Sequence, residues 1–355
     1  MTALTRKEIL LAGLSIVLTW SVGEVAARLL LSPPLQISKR RFSDPGIPKH
    51  LADPQLGWAI APQNASYRFR ASSQAGSVDV CYSIQHGRRA TAAHPVAGPL
   101  LISAGCSFTF GLGLNDQDTW PWLLQERLPA YHVVNTGTNG YGTDQALLAA
   151  ERVVLDSTEP TRMVVLGFGD FQIERNRSTQ AMIYYPYPLG KPLFLPRGDT
   201  LESAGLVKFW YPGNLLDGSV LFMNITNRVA NWVNRVPSHQ GAREVTARLI
   251  VEFSRRFQAR GVRLAVVIVP HAGDQSPQSK IDSQFIVDRL RAAGIPTLIP
   301  NFPRLPDGRL DIHRFLIPSD QVHPNREYNL LLADQLAQFL ADGQPRASEV
   351  PPPSR

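Results

Sequence analysis

From Leu100 onward the chain alternates between two patterns. Short, near-continuous apolar runs lie at Leu100–Ser103, His132–Asn135, Met163–Gly167, Leu264–Val269 and Pro296–Ile299. Between them run longer segments with apolar positions at helical spacing: Trp120–Leu128, Thr143–Leu155, Ala242–Arg260 and Ser283–Ala293. Strands that are apolar on both faces belong to a parallel sheet covered by helices on each side. Strand–helix alternation implies βαβ units with right-handed crossovers. The expected fold class is therefore α/β, with a mostly parallel five-stranded sheet.

Three stretches break this rhythm. Residues 32–98 open with Ser32-Pro33-Pro34 and continue into runs such as Ser66-Tyr67-Arg68-Phe69-Arg70 and Val78-Asp79-Val80-Cys81-Tyr82. Their period of two predicts half-buried strands in a β-rich preamble packed on the main domain. Between about 178 and 240 the aromatic–proline runs Tyr184-Tyr185-Pro186-Tyr187-Pro188 and Phe209-Trp210-Tyr211-Pro212 interrupt the pattern over a length no simple loop needs. This predicts an inserted, cap-like segment at the C-terminal edge of the sheet, either a substrate wall, a satellite core, or a membrane or partner contact. Residues 343–355 are rich in Pro and Ser, which predicts a disordered tail.

The N-terminal pattern is apolar without a polar face. Arg6 and Lys7 precede the uncharged stretch Ile9–Gly23, and extending it to Leu31 takes in Glu24 and Arg28, four apart and able to pair on a helix. Residues 1–31 read as a membrane anchor or signal-like helix. Val25-Ala26-Ala27 would serve as a cleavage site, whereas the apolar Leu29-Leu30-Leu31 beyond it favours a retained, single-pass anchor. The basic residues flanking both sides (Arg28, Lys39, Arg40 and Arg41 on the far one) leave the positive-inside rule undecided. The signal-like start points to an extracytoplasmic (periplasmic) position for the rest of the chain.

Composition adds little to this. The 355 residues are 44% hydrophobic and 18% charged, which is ordinary for a globular protein able to bury a full core. The net charge of +7 is scattered, and no zinc-finger, RRM or basic-helix pattern appears, so no nucleic-acid partner is expected. The charge suits an anionic membrane surface or acidic glycans. Cys81 and Cys106 lack metal-site spacing; Cys106 reads as a small buried hydrophobe, and a disulfide between the two stays open. No metal or cofactor is expected, since Gly111-Leu112-Gly113 lacks the rest of a dinucleotide fingerprint.

The candidate chemistry lies where strands end. Leu100–Ser103 leads into Gly105-Cys106-Ser107 and a helix, which puts a serine at the C-terminal edge of the sheet. Far downstream, Ser319-Asp320-Gln321-Val322-His323-Pro324 supplies an acid and an imidazole three apart. Taken singly, such a serine is more often a helix N-cap and such an Asp-x-x-His a solvated turn. Together they form a nucleophile, an orienting acid and a base. His271, after Val269-Pro270, reaches the same edge as an alternative base or a substrate-binding residue.

These residues resemble those of the SGNH (GDSL-type) hydrolases, a family of esterases, lipases and carbohydrate acyl esterases. Gly105-Cys106-Ser107-Phe108 resembles the first block, Asn135-Thr136-Gly137-Thr138-Asn139-Gly140 the second, and Asp320 with His323 the fifth. Asp53-Pro54-Gln55-Leu56-Gly57-Trp58 resembles the lead-in of some membrane-anchored relatives. The resemblance implies a three-layer α/β/α sandwich. It also implies a Ser107–Asp320–His323 triad, and an oxyanion hole made by the backbone N–H groups of Ser107 and Gly140. The third block departs from the pattern. In Gly167-Phe168-Gly169-Asp170 the place of the family's oxyanion asparagine holds Gly169, and Asn176 and Gln172 downstream are the substitute donors within reach. The expected activity is hydrolysis of acyl esters, on an acylated glycan or another ester. Two other readings stay open: an envelope polysaccharide O-acyltransferase, and a catalytically weak glycan-binding or assembly protein. Oligomeric state is not set by the sequence.

Overall fold

The computed structural model describes residues 5–31, 48–73, 76–94, 96–177, 190–198, 200–207 and 219–342. The chain begins with α1 (Arg6–Leu30), where a capping box between Thr5 and Glu8 closes the first turn. The hairpin β1 (His50–Asp53) and β2 (Gly57–Ile60) follows, then β3 (Ala65–Ser73), β4 (Gly76–Gln85) and the two-residue β5 (Arg88–Arg89).

The α/β pattern starts where the apolar runs placed it. β6 (Leu100–Ala104) leads into the short α2 (Ser107–Phe110), α3 (Trp120–Arg127), β7 (His132–Asn135), α4 (Thr143–Asp156), β8 (Thr161–Phe168) and α5 (Phe171–Asn176). After the hairpin β9 (Lys191–Arg197) and β10 (Thr200–Val207) come α6 (Val220–Val233), α7 (His239–Gln258), β11 (Arg263–Ile268), α8 (Pro277–Ala292), β12 (Thr297–Leu298) and α9 (Arg326–Asp342).

The five runs read as strands are the five parallel strands, in the order β12-β11-β8-β6-β7. The sheet is larger than the five strands expected. It continues antiparallel through β5, β4 and β3, so eight strands form one sheet and the preamble is its extension. The reason is an edge: without β5, β7 would present unpaired backbone groups, and the Arg89–Asn135 pairing covers them.

The three layers are as expected. α4 packs on β6 and β8 with α7 against it, while α3 packs on β7 with α9 against it. One large core joins them, from Leu100, Ile102 and Val164 in the sheet to Leu147, Phe253 and Leu332 on the helices. A smaller core of Ile60, Val80, Tyr82, Ile84 and Phe110 joins the preamble to α2. Cys81 and Cys106 are both free thiols.

Of the inserted segment, the two aromatic–proline runs lie outside the described residues, as do the linker 32–47 and the tail 343–355. The β9–β10 hairpin sits on α4 and α7, pinned by a buried ion pair between Lys191 and Asp144, and α6 packs on α1.

Candidate active site

Strand order decides where the site lies. From β6 the chain crosses to β7 on one side and then to β8 on the other, so the C-terminal end of β6 is the topological switch point, where open α/β sheets leave a crevice. Ser107 is there, as the first residue of α2.

Two side chains fix α2. Asn135, at the end of β7, donates from Nδ2 to Thr109 O at 2.9 Å and accepts the Gly137 N–H at 2.9 Å. Position 137 has to be glycine, because a Cβ there would lie 2.5 Å from Phe110 N. Arg89 is wholly buried behind the helix. Its guanidinium bonds the carbonyls of Phe110 (3.2 Å), Gly111 (2.9 Å) and Leu114 (2.6 Å), pairs with Asp116 at 2.8 Å, and lies over the rings of Tyr82 and Phe110. Its donors bond carbonyls at the end of α2 and in the turn that follows it.

The base arrives on the loop between Phe315 and α9. Ile317 N–H bonds His323 O at 2.8 Å, and Gln321 takes a left-handed conformation (φ 55°), so the loop doubles back on itself. Asp320 and His323 therefore project together. His323 Nδ1 is 2.6 Å from Asp320 Oδ2, and His323 Nε2 is 3.1 Å from Ser107 Oγ. Asp320 Oδ1 accepts the backbone N–H groups of Val322 (2.9 Å) and His323 (3.0 Å). Burial works to raise the Asp320 carboxyl, but its bonds to His323 and to these N–H groups outweigh that and hold its pKa below the usual value. An ionised Asp320 keeps the proton on Nδ1 and leaves Nε2 to accept from Ser107.

The loop after β7, bonded to the end of β6 through Thr138 N–H and Gly105 O at 3.2 Å, carries Gly140 in a left-handed conformation (φ 79°) that an L side chain rarely adopts. The preamble hairpin holds this loop. Trp58 is buried, donates from Nε1 to Asn139 O at 3.2 Å, and accepts the Tyr141 hydroxyl on its carbonyl at 2.7 Å. Among the described residues, neither Ser107 N–H nor Gly140 N–H has an internal acceptor.

The third block differs from the asparagine substitute expected above. A Cβ on Gly169 would lie 2.4 Å from Phe171 Cε1, so the Phe171 ring occupies the space a side chain at 169 would take. That ring packs on Phe108 (centroids 5.3 Å apart), which in turn meets His323 at 5.7 Å. Asn176 is not a substitute donor. Its Oδ1 accepts Asp144 N–H at 3.3 Å and its Nδ2 donates to Thr246 Oγ1 at 2.7 Å, because α5 turns this face towards α4 and α7. Gln172 is committed likewise, to Thr143 Oγ1 at 3.0 Å and Gly167 O at 3.3 Å.

His271 does not compete for the role of base. Its Nε2 is tied to Asp170, its Nδ1 accepts Gly273 N–H at 2.9 Å, and Phe171 stands edge-on to its ring at 5.0 Å. Burial works to raise the Asp170 carboxyl, and its contact with His271 overrides that and lowers it. Sequence reasoning missed this pair, the Arg89 anchor and the Trp58–Tyr141 clamp. Only Trp58 carried a signal, as an aromatic closing the Asp53–Trp58 motif. No group of His, Cys, Asp and Glu able to hold a metal ion occurs among the described residues.

No protein-family model matches the chain, and no curated protein matches it. Solved structures similar to it include a putative lipolytic protein of the G-D-S-L family from Desulfitobacterium hafniense (14% identity, 68% of this chain and 99% of that one, TM-score 0.41). Others are TesA (13%, 68% and 98%, TM-score 0.42) and a putative arylesterase from Agrobacterium tumefaciens (15%, 69% and 99%, TM-score 0.39).

Proposed function

We propose that the protein is a serine esterase of the SGNH type. The observation that carries this is the continuous line from Asp320 through His323 to Ser107 Oγ, with steps of 2.6 and 3.1 Å. His323 Nε2 takes the Ser107 proton as Oγ attacks the ester carbonyl. The negative charge that develops on the carbonyl oxygen is met by Ser107 N–H and Gly140 N–H. His323 then returns its proton to the departing alcohol, leaving Ser107 acylated. A water deprotonated by His323 releases the acid. Two backbone donors without a side-chain amide predict slow turnover, since one such donor is worth about 10²–10³ in rate.

The substrate we propose is an acyl ester on a carbohydrate, supported by the aromatic–proline runs of the insertion, whose rings suit sugar faces. α1 would hold the domain on a membrane, supported by its 25 residues and an 18-residue window of mean hydropathy 1.8, and Arg6 and Lys7 ahead of the apolar stretch favour the periplasmic side for the domain. The test is turnover of p-nitrophenyl acetate and of an acetylated oligosaccharide by the wild type and by Ser107→Ala. Loss in the variant on both substrates is expected, and unchanged turnover would refute the reading. An added sugar hydroxyl that captures the acyl group faster than water does would make the enzyme a transferase.

A further inference from the structure

Glu24 stands within the apolar helix α1, yet its carboxylate is fully engaged. It accepts the N–H groups of Val220 (2.9 Å) and Leu221 (3.0 Å) and the Ser219 hydroxyl (2.7 Å), and Arg28 lies 2.7 Å from it one turn on. Glu24 thus caps the first turn of α6, across 195 residues or more. The contact then moves down both helices. Leu221 Cδ2 lies 2.9 Å from where a Gly23 Cβ would be, and Phe222 meets Trp20 with ring centroids 6.4 Å apart. Ahead of Trp20 the same face of α1 is uncovered, with Ile16 67% exposed, so α6 starts at the Trp20–Glu24 turn and leaves α1 after its first turn.

Only Met223 of α6 is buried. Ile225 (45% exposed), Val229 (54%), Trp232 (81%) and Val233 (63%) recur at i, i+4, i+7 and i+8 and form one uncovered apolar stripe, with Arg228 at its flank and Arg235 just past the helix end. An exposed stripe of this kind needs an occupant. The helix it is tied to supplies the argument for which. If α1 crosses a bilayer, as the anchor reading on which this inference rests has it, the Trp20–Glu24 turn sits where the uncharged stretch ends, at the lipid boundary. α6 begins at that turn, so its stripe starts from the same boundary.

We propose that α6 is a second membrane-seated element, an interfacial helix in the leaflet facing the catalytic domain. Ile225, Val229, Trp232 and Val233 enter the acyl region, with Trp232 as the amphipathic boundary anchor, and Arg228 and Arg235 reach the headgroup phosphates. The domain is then held by two elements and cannot swivel freely on one span. Cleavage after Ala27 would leave Glu24 on the removed piece and strip α6 of its cap.

The test uses the full chain with Cys81→Ser, reconstituted into phosphatidylcholine–phosphatidylglycerol vesicles. An environment-sensitive fluorophore is placed on a single exposed cysteine at Ile16→Cys, Val229→Cys or Leu155→Cys, and quenching by acyl-chain nitroxide lipid is measured. Leu155 lies exposed on α4 and serves as the aqueous reference. Quenching at positions 16 and 229 about threefold or more above that at 155 is expected for acyl-region residues. Quenching at 16 with position 229 equal to 155 overturns the proposal while leaving the anchor intact. Position 229 shielded from both lipid and water, with exposure returning on dilution, assigns the stripe to a second copy of the chain and also overturns it. Absence of quenching at 16 removes the anchor reading and this inference together. None of these outcomes depends on Ser107, so esterase activity stands or falls separately.

Discussion

Ser107 Oγ and His323 Nε2 lie 3.1 Å apart although 216 residues separate them in the chain. The contact has two independent supports. Asn135 and Arg89 hold α2 from behind, and the folded-back loop at Gln321 delivers His323 from the front. The imidazole is oriented by Asp320, which lies in the same loop.

Asp320→Asn keeps the shape of this loop but removes the charge that selects the Nδ1–H tautomer. Turnover of an activated ester should fall by about 10³–10⁴, with the thermal midpoint nearly unchanged. Turnover equal to the wild type would mean that His323 is oriented by something else.

Gly169→Asn supplies the residue type that SGNH hydrolases carry at the place Gly169 resembles. Because the Phe171 ring fills the space at 169, the variant should lose about 1–3 kcal/mol of stability through overpacking and gain no activity. Denaturant unfolding and ester turnover, measured together, check this. A rise in rate of about 10² at unchanged stability would show that the position still faces the oxyanion.

Arg89→Leu takes the guanidinium away from Asp116, which keeps only its bonds from Ser83, and from three carbonyls in the interior. The expected cost is about 3–5 kcal/mol, because an uncompensated buried charge is more harmful than the pair is helpful. The double variant Arg89→Leu with Asp116→Leu should recover part of that loss in an unfolding cycle. Additive losses would show that the pair is not coupled.

His239 bridges Glu174 on α5 and Asp282 on α8, the latter at 2.8 Å. Burial works to lower its pKa, and the two carboxylates outweigh that and raise it. A raised folded-state pKa gives stability that is fully present below the unfolded value of about 6.5 and is lost as pH rises through the folded value. The difference in thermal midpoint between wild type and His239→Gln should therefore be largest in acid and shrink above neutrality. A difference that grows with pH would contradict the assignment.

Much of this was legible in the sequence, for a physical reason. β6, β7, β8 and β11 are buried on both faces, so their composition alone marks them. α8 starts at Pro277, six residues before the Ser283 that the apolar spacing predicts. Its first turns are polar, and the signal lay instead in Ser276, whose hydroxyl accepts Ser279 N–H, and in Pro277. Alternation in β3 and β4 predicts strands but cannot say which sheet edge they complete, and the two residues of β5 that make the join are too short to show a period. Within the site, the Asp-x-x-His spacing is local and was readable. Asn176 was not, because proximity along the chain does not reveal which face of α5 it occupies. The Asp170–His271 pair joins positions 101 residues apart, and neither carries a spacing signal.

The most direct test of the central claim is intact-mass analysis of the detergent-solubilised full chain after reaction with a fluorophosphonate ester, alongside Ser107→Ala. A single phosphonyl adduct on the wild type and none on the variant is the predicted result. A folded wild type that takes no adduct, or an adduct that persists in Ser107→Ala, would contradict the account.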